Sequence, residues 1–473
     1  MIVSLNSLPL IEELPAQRTA LELFEPLSGL KNSFWLESGM DPQKLGRYSF
    51  MGTDPFLIFK SRGWDVYLQE TASNRKLQGN PLDILGHYLE KYRLARPNSD
   101  LPCCGGAVGY LSYDLGRLIE NIPQKAVDDL GLPECLLGFY DVMLIYDHLL
   151  KKAWIVSSGW PEETEPARHE RARARLLEFK AKILSDQPAC QARPPVPPAR
   201  ELSSNFTHEN YVKAVERARQ YIIDGDIFEV NLSQRFTAEV SMAPFELYRR
   251  LRQINPAPFA CYLNFDEVRV VGSSPERFLR LQGDRVETRP IKGTIRRGHT
   301  PEQDKTNADW LQASEKDRAE NMMIVDLERN DLGRVCRYGS VKVTELAILE
   351  TFPTVFHLTS TVVGQLREGV SRIDLLKATF PGGSITGAPK IRSMEIIDEL
   401  EPTRRSLYTG SIGYFSFDGD LDLNIVIRTF LLKDQKAYFQ LGGAVVFDSD
   451  PEAEYQETLD KGKALFRALM SEK

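Results

Sequence analysis

A lysine, two sets of helical carboxylates and a glycine-rich turn have types and spacing that suit chemistry. Lys292 lies in Thr288-Arg289-Pro290-Ile291-Lys292-Gly293-Thr294. Pro290 fixes its own φ and has no N–H to donate, so the segment reads as an edge, bulge or bend of a sheet. Gly293 marks a kink or a close backbone approach. A lysine at such a strand end ordinarily snorkels to water. It becomes a nucleophile if its neighbours keep it neutral. Asp317 and Glu320 stand three apart, and Glu454, Glu457 and Lys461 follow at i, i+3 and i+7. Each set therefore shares one helix face. Such faces taken singly are usually solvated; two pairs together offer oxygen ligands to a hard cation such as Mg²⁺.

The turn Pro381-Gly382-Gly383-Ser384-Ile385-Thr386-Gly387-Ala388-Pro389-Lys390 reads as an anion cradle, because Pro389 opens a helix whose first N–H groups are free. It is not a nucleotide P-loop, since Ala388-Pro389 follows Gly387 where Lys-Ser or Lys-Thr belongs. Glu276, in Ser274-Pro275-Glu276-Arg277, is a candidate general acid. Arg428 lies in an apolar run, Asn424 to Thr429, and needs an anionic partner there. His357 sits in Val355-Phe356-His357-Leu358, a setting where histidine is commonly a satisfied core residue. Gly442-Gly443 bares backbone to a ligand.

The elements that must position these residues alternate in type. Residues 1–186 read as mixed α and β, with one apolar strand over Leu136 to Tyr146 and a charged helix over 161–185. Residues 187–205 hold a proline-rich linker. Residues 206–473 carry helix His208 to Asp224 and a half-buried strand within Asp226 to Val240. Further strands, a long helix from about Thr306 to Arg334, a strand over Asp422 to Leu432 and a last helix from Pro451 to Met470 complete the region. Antiparallel strands with intervening helices imply an α+β protein of two packed antiparallel sheets with helices outside.

Composition bounds the function. The chain of 473 residues has 42% hydrophobic and 26% charged residues and a net charge of -7. That is ordinary for a soluble globular protein and gives nucleic-acid binding no support. The first residues lack a basic n-region, so no signal peptide is expected, and no run approaches the roughly 18 apolar residues of a membrane span. Of six cysteines only Cys103 and Cys104 are neighbours. Reduced thiols in a cytoplasmic protein are the expectation.

In order and content these motifs resemble the chorismate-utilising enzymes. The likeness rests on Ser274 to Phe278, Thr288 to Thr294, Lys316 to Leu332, Pro381 to Lys390 and Glu454 to Lys461, and covers about 206–469, more weakly the amino-terminal region. Lys292 discriminates among members. Anthranilate synthases resemble one another in having alanine there, whereas aminodeoxychorismate synthases of the enteric type have lysine. The resemblance therefore implies component I of an aminodeoxychorismate synthase, feeding 4-aminobenzoate and folate synthesis. The alternative is anthranilate synthase component I, and a third reading is a non-catalytic tryptophan sensor on the same fold. Carried over by residue, the likeness implies Mg²⁺ held by Glu320 and Glu457, with Asp317 and Glu454 behind. Arg428, Gly443, Tyr408, Thr386 and Lys461 would orient chorismate, and His357 is counted with them. Glu276 would be the acid and Lys292 the nucleophile. No G-x-C-x-G elbow is present, so a separate glutamine amidotransferase subunit is expected to supply ammonia. Ser38, Arg47, Tyr48, Pro258 and Phe259 match the family's tryptophan pocket, with Trp35 replacing its usual leading leucine.

Overall fold

The computed structural model describes residues 2–4, 8–15, 18–70, 73–97, 101–185, 200–352 and 355–470. Two antiparallel sheets, of 13 and 12 strands, form its frame. The first contains, in spatial order, Leu10–Leu14, Lys152–Ser157, Val142–Asp147, Tyr48–Gly52, Ser33–Glu37, Phe259–Asn264, Arg269–Ser274, Thr429–Lys433, Lys436–Val445 and Glu229–Glu239. The second contains Ile291–Arg296, Val355–Gln365, Arg285–Arg289, Arg277–Gln282, Leu421–Asn424, Ser411–Ser416, Gly106–Leu111, Cys135–Tyr140 and Leu57–Arg62. This is the α+β architecture expected of the sequence. Both sheets draw strands from each side of the proline-rich stretch. Most of that stretch lies outside the described residues. Regular structure resumes at Arg200–Ser204, which pairs with Glu229–Glu239 inside the span expected to be linker.

Strand alternation makes the layers. Phe34, Phe50, Leu263 and Val270 of the first sheet meet Phe59, Val108, Phe139 and Phe415 of the second in one apolar core. The intervening residues Trp35, Met51, Leu144 and Tyr262 point the other way. There they pack with Phe179, Tyr248 and Leu465 from helices Glu165–Ile183, Pro244–Ile254 and Pro451–Leu469.

Four expectations need correction. Leu136 to Tyr146 is not one strand. Cys135–Tyr140 belongs to the second sheet and Val142–Asp147 to the first, and the chain crosses between them at Asp141. Likewise Asp422 to Leu432 divides into Leu421–Asn424 and Thr429–Lys433, in different sheets. A continuous apolar run conceals such a crossing, because a strand buried on both faces has no period to break. The long helix is two helices, Pro301–Ala313 and Glu315–Gly333, parted at Ser314, which caps the second by accepting from the Asp317 N–H. Only one face of that second helix is buried; Met322 is exposed. Finally, the strand within Asp226 to Val240 is buried on both faces, including Glu229, Ser233 and Gln234. Helices His208–Ile223 and Lys390–Leu400 cover the Val230 and Leu232 side, while the polar side faces inward, where Glu229 meets Lys292 of the second sheet and Ser233 meets Glu401.

Asp141 shows how a crossing is held. It is fully buried, and Arg171 Nε donates to its Oδ2 at 3.0 Å while Arg175 Nε lies 3.3 Å from both oxygens. Removing one partner of a buried pair strands the other. Asp141→Ala is expected to lower unfolding stability by about 3 kcal/mol in urea denaturation. Leu177→Ala, at an exposed site of the same helix, is expected to change it by less than about 0.5 kcal/mol.

Candidate active site

Lys292 is aimed inward by a bulge. Ile291 pairs with Thr359 and Thr294 with His357, so one extra residue is accommodated between them. Gly293 takes φ +82, the left-handed conformation such a bulge needs. A Cβ there would lie 3.0 Å from the Cβ and Oδ1 of Asp317, so the bulge packs directly on the first turn of helix Glu315–Gly333. The lysine is buried and its Nζ pairs with Glu229 Oε1. Burial alone would depress its pKa. Glu229, Glu320 and Glu276 outweigh that and raise it. At rest, then, Lys292 is an ammonium among carboxylates.

Glu276 bridges the lysine bulge and the glycine-rich turn. Its Oε1 accepts from Ser384 Oγ at 2.6 Å and from the Ile291 N–H at 3.3 Å. Burial pushes its carboxyl up to about 7, against the Ser384 hydrogen bond. Glu320, one turn beyond Asp317, is likewise raised to about 7 by burial, with Lys292 and Lys316 opposing. Asp317 itself is hydrogen-bonded to Ser314 at the helix cap.

The last helix brings the second pair. Glu454 accepts from Ser449 Oγ at 2.6 Å, and its Oε2 is buried without a partner. Glu457 is held below the usual carboxylate range by Lys461, 2.7 Å away, and Lys461 also donates to Gly442 O at 3.0 Å. A Cβ on Gly443 would stand 3.0 Å from Glu454 Oε2 and 3.2 Å from Glu457 Oε1. The room at Gly443 therefore goes to these carboxylates. Among the described residues no three His, Cys, Asp or Glu side chains lie together as a ready metal cage. The donor chemistry still fits Mg²⁺, which uses one or two carboxylates and keeps water or substrate oxygens. Lys292 and Lys316 both act on Glu320 and on Glu457, so the two helices present their acids to the same two cations. The orphaned Glu454 oxygen offers a further acceptor there.

Arg428 occupies the second crossing between sheets, with φ +51, a conformation L side chains rarely adopt. Burial pulls its pKa down to about 10. Among the described residues it has no ion pair; its contact is with His357 Nε2 at 3.5 Å. His357 is buried, hydrogen-bonded through Nδ1 to Thr294 Oγ1 at 2.7 Å, and held neutral by burial and by Arg428. It thus joins the lysine strand to the arginine. Tyr408 and Thr386 line adjoining segments. The Tyr408 hydroxyl lies 2.9 Å from a Cβ built on Gly442, and Thr386 Oγ1 donates to Gly382 O at 3.0 Å. The cradle around Thr386 is partly filled from within, since Glu328 accepts from the Gly383 N–H at 3.0 Å and Gly387–Ala388 pairs with Glu229–Val230. Gly387 is required there: a Cβ would meet Glu229 O at 2.2 Å.

The five residues matched to a tryptophan pocket gather at one end of three adjacent strands. Ser38 Oγ donates to Pro258 O at 3.1 Å, and Arg47 lies over the Tyr48 ring at 4.9 Å while pairing with Asp147 at 2.9 Å. Phe259 begins the neighbouring strand. Trp35 is turned away from them, packed on Phe24 and Tyr248 in the outer layer, so its substitution leaves that end unchanged.

Sequence reading missed Glu229, Ser384 and the ion pairs behind the lysine strand. In the last of these, Glu350 and Glu345 bind both Arg289 and Lys44. In the half-buried strand expected within Asp226 to Val240, Glu229, Asn231 and Ser233 alternate with Phe228, Val230 and Leu232 and so fall on the polar face. The one signal for Glu229 was its place in the strand Glu229–Glu239, two residues before Asn231 and alternating with Val230 and Leu232.

A crossing of two antiparallel sheets with a lysine, graded carboxylates and an unpaired arginine defines a class. The chain belongs to the chorismate binding enzymes, whose family model matches residues 32–467. It is 42% identical over 444 residues to anthranilate synthase component 1 of Cereibacter sphaeroides, covering 92% of this chain and 89% of that one. It is 41% identical to aminodeoxychorismate synthase component 1 of Bacillus subtilis, covering 98% and 97%. The structure of anthranilate synthase component I from Streptococcus pneumoniae superposes with a TM-score of 0.79 at 35% identity, covering 90% and 94%. The isochorismate synthase MenF of Escherichia coli shares the fold, with a TM-score of 0.74 at 18% identity, covering 98% of this chain and 94% of that one. Among the described residues no helix is long and apolar enough to cross a membrane.

Glu276 should show a carboxyl titration near pH 7, followed by ¹³C NMR. Glu320 and Glu328 are also placed at about 7, so the signal is assigned by its loss in Glu276→Gln. In Ser384→Ala the midpoint should rise, because the hydrogen bond that favours the ionised form is gone.

Proposed function

We propose that this chain is the chorismate-converting component of an aminodeoxychorismate synthase, making 4-amino-4-deoxychorismate from chorismate and ammonia. The observation that carries this reading is Lys292, buried beside Glu276 within reach of three carboxylates. A lysine there resembles the aminodeoxychorismate synthases, whereas anthranilate synthases have alanine. The named relatives divide between the two activities at similar identity.

In this reading Arg428, which has no ion pair among the described residues, takes a carboxylate of chorismate, with His357 fixing its guanidinium. Tyr408, Thr386, Gly443 and Lys461 border the ring. Glu320 and Glu457, with Asp317 and Glu454 behind, would hold Mg²⁺, which when bound would supply positive charge to the ring carboxylate. Glu276, whose raised pKa keeps it substantially protonated near neutrality, gives its proton to the C4 hydroxyl, which leaves as water. The Lys292 amine attacks C2 as the ring double bonds shift toward C4. Ammonia then attacks C4, the double bonds shift back, and the C2–N bond breaks with its electrons returning to Lys292. The new C4 ammonium returns a proton to Glu276. The enolpyruvyl group is retained, so no pyruvate forms. A separate glutaminase subunit supplies ammonia. We place the reaction in the cytoplasm, where the five described cysteines, all buried and unpaired, would stay reduced. The pocket at Ser38, Arg47, Tyr48, Pro258 and Phe259 would hold tryptophan.

Purified chain with chorismate, Mg²⁺ and ammonium at high pH should yield an amino product with no pyruvate. Fluorescent anthranilate with equimolar pyruvate would instead assign the anthranilate reaction, and absence of any turnover the sensor. Lys292→Ala should abolish the covalent adduct found by intact-protein mass spectrometry in the wild type; an adduct at another residue removes Lys292 from this role.

A further inference from the structure

The reaction needs a neutral amine at Lys292, yet the residue rests as an ammonium. Its proton must therefore have somewhere to go. Among the described residues the group in hydrogen-bond contact with Nζ is Glu229. Glu320 and Glu276 also face the lysine electrostatically. Glu276 Oε1 is already taken by Ser384 and Ile291, and Glu276 delivers its own proton to the leaving hydroxyl.

Glu229 is built for exchange. Its Oε1 accepts from Lys292 and, at 3.3 Å, from Asn231 Nδ2. Its Oε2 is buried without a hydrogen-bond partner among the described residues. The side chain is fully buried, and the backbone is clamped by the Ala388 pairing and by Ser393 Oγ donating to its carbonyl at 3.0 Å. A buried carboxylate kept with an empty oxygen is a costly arrangement for a merely structural salt bridge.

We propose that Glu229 is the catalytic base for Lys292. This rests on the nucleophile role of Lys292 given above. The Nζ proton passes to Glu229 as the lone pair of nitrogen forms the bond to C2. Glu229 is then a neutral acid while the adduct persists. When ammonia has attacked C4 and the C2–N bond breaks, Glu229 returns the proton to the released amine, and the ion pair reforms. The cycle consumes no proton beyond those exchanged by Glu276 with the leaving water and the incoming nitrogen.

The test is rapid-quench single turnover with chorismate and Mg²⁺ without ammonia, scoring the Lys292 adduct, chorismate less water, by mass. Glu229→Gln should form it about a hundred-fold or more slowly at neutral pH. Its rate relative to wild type should climb as pH rises, because solvent must then remove the proton. Glu229→Asp should keep the wild-type pH dependence. Chorismate affinity, read by protein fluorescence, should be little changed in both, and thermal melts report folding; if Glu229→Gln fails to fold, Glu229→Asp and Glu229→Ser carry the comparison. Wild-type adduct formation with an unaltered rate in Glu229→Gln, or a slowed rate whose ratio to wild type is flat in pH, overturns the base role alone. A wild type that consumes chorismate with no adduct overturns the nucleophile reading beneath it.

Discussion

One buried ion pair joins the two sheets at their most reactive point. Glu229 belongs to a strand of the first sheet and Lys292 to a strand of the second. Both are removed from water, and desolvation on that scale costs several kcal/mol per ion before the Coulomb attraction offsets it. Packed apolar residues would serve stability as well. In the proposed reaction the pair stores a charged nucleophile next to its proton acceptor. The surrounding backbone is shaped around it: the bulge at Gly293, the close approach at Gly387 and the helix cap at Ser314 all converge there.

The other acids are graded by their surroundings. Glu276 and Glu320 are raised by burial, whereas Glu457 is lowered by the adjacent Lys461. Chemically similar side chains thereby suit proton donation in one place and cation binding in another, a separation that environment alone can enforce. Arg428 completes the pattern. A guanidinium in a strained backbone conformation, with a neutral histidine for a neighbour, favours an anion from outside the chain.

Much of this was legible in the residues. Pro290 and Gly293 announced the bend, and the spacing of Asp317, Glu320, Glu454 and Glu457 announced the two acidic faces, because proline geometry and helical periodicity are local properties. The crossings at Asp141 and Arg428 were not legible, since a run of apolar residues reads the same whether it stays in one sheet or changes to another. Glu229 was misassigned for a related reason: alternation says which residues share a face, but not that the second sheet will cover the polar one. The charge of Lys292 escaped because it depends on carboxylates contributed by three distant segments. The glycines of the turn at 381–390 fit close packing against Glu229 and Leu327 at least as well as ligand contact.

The interleaving of the sheets also bears on how the molecule comes into being. Ser33–Glu37 lies between Tyr48–Gly52 and Phe259–Asn264, and Gly106–Leu111 pairs with Ser411–Ser416. Early strands therefore wait for partners made hundreds of residues later. On the ribosome the amino-terminal strands must remain open-edged until most of the chain has emerged. Such long-range pairing slows folding and exposes sticky edges meanwhile. Newly made chains should depend on chaperone protection to a degree that the compactness of the finished enzyme does not suggest.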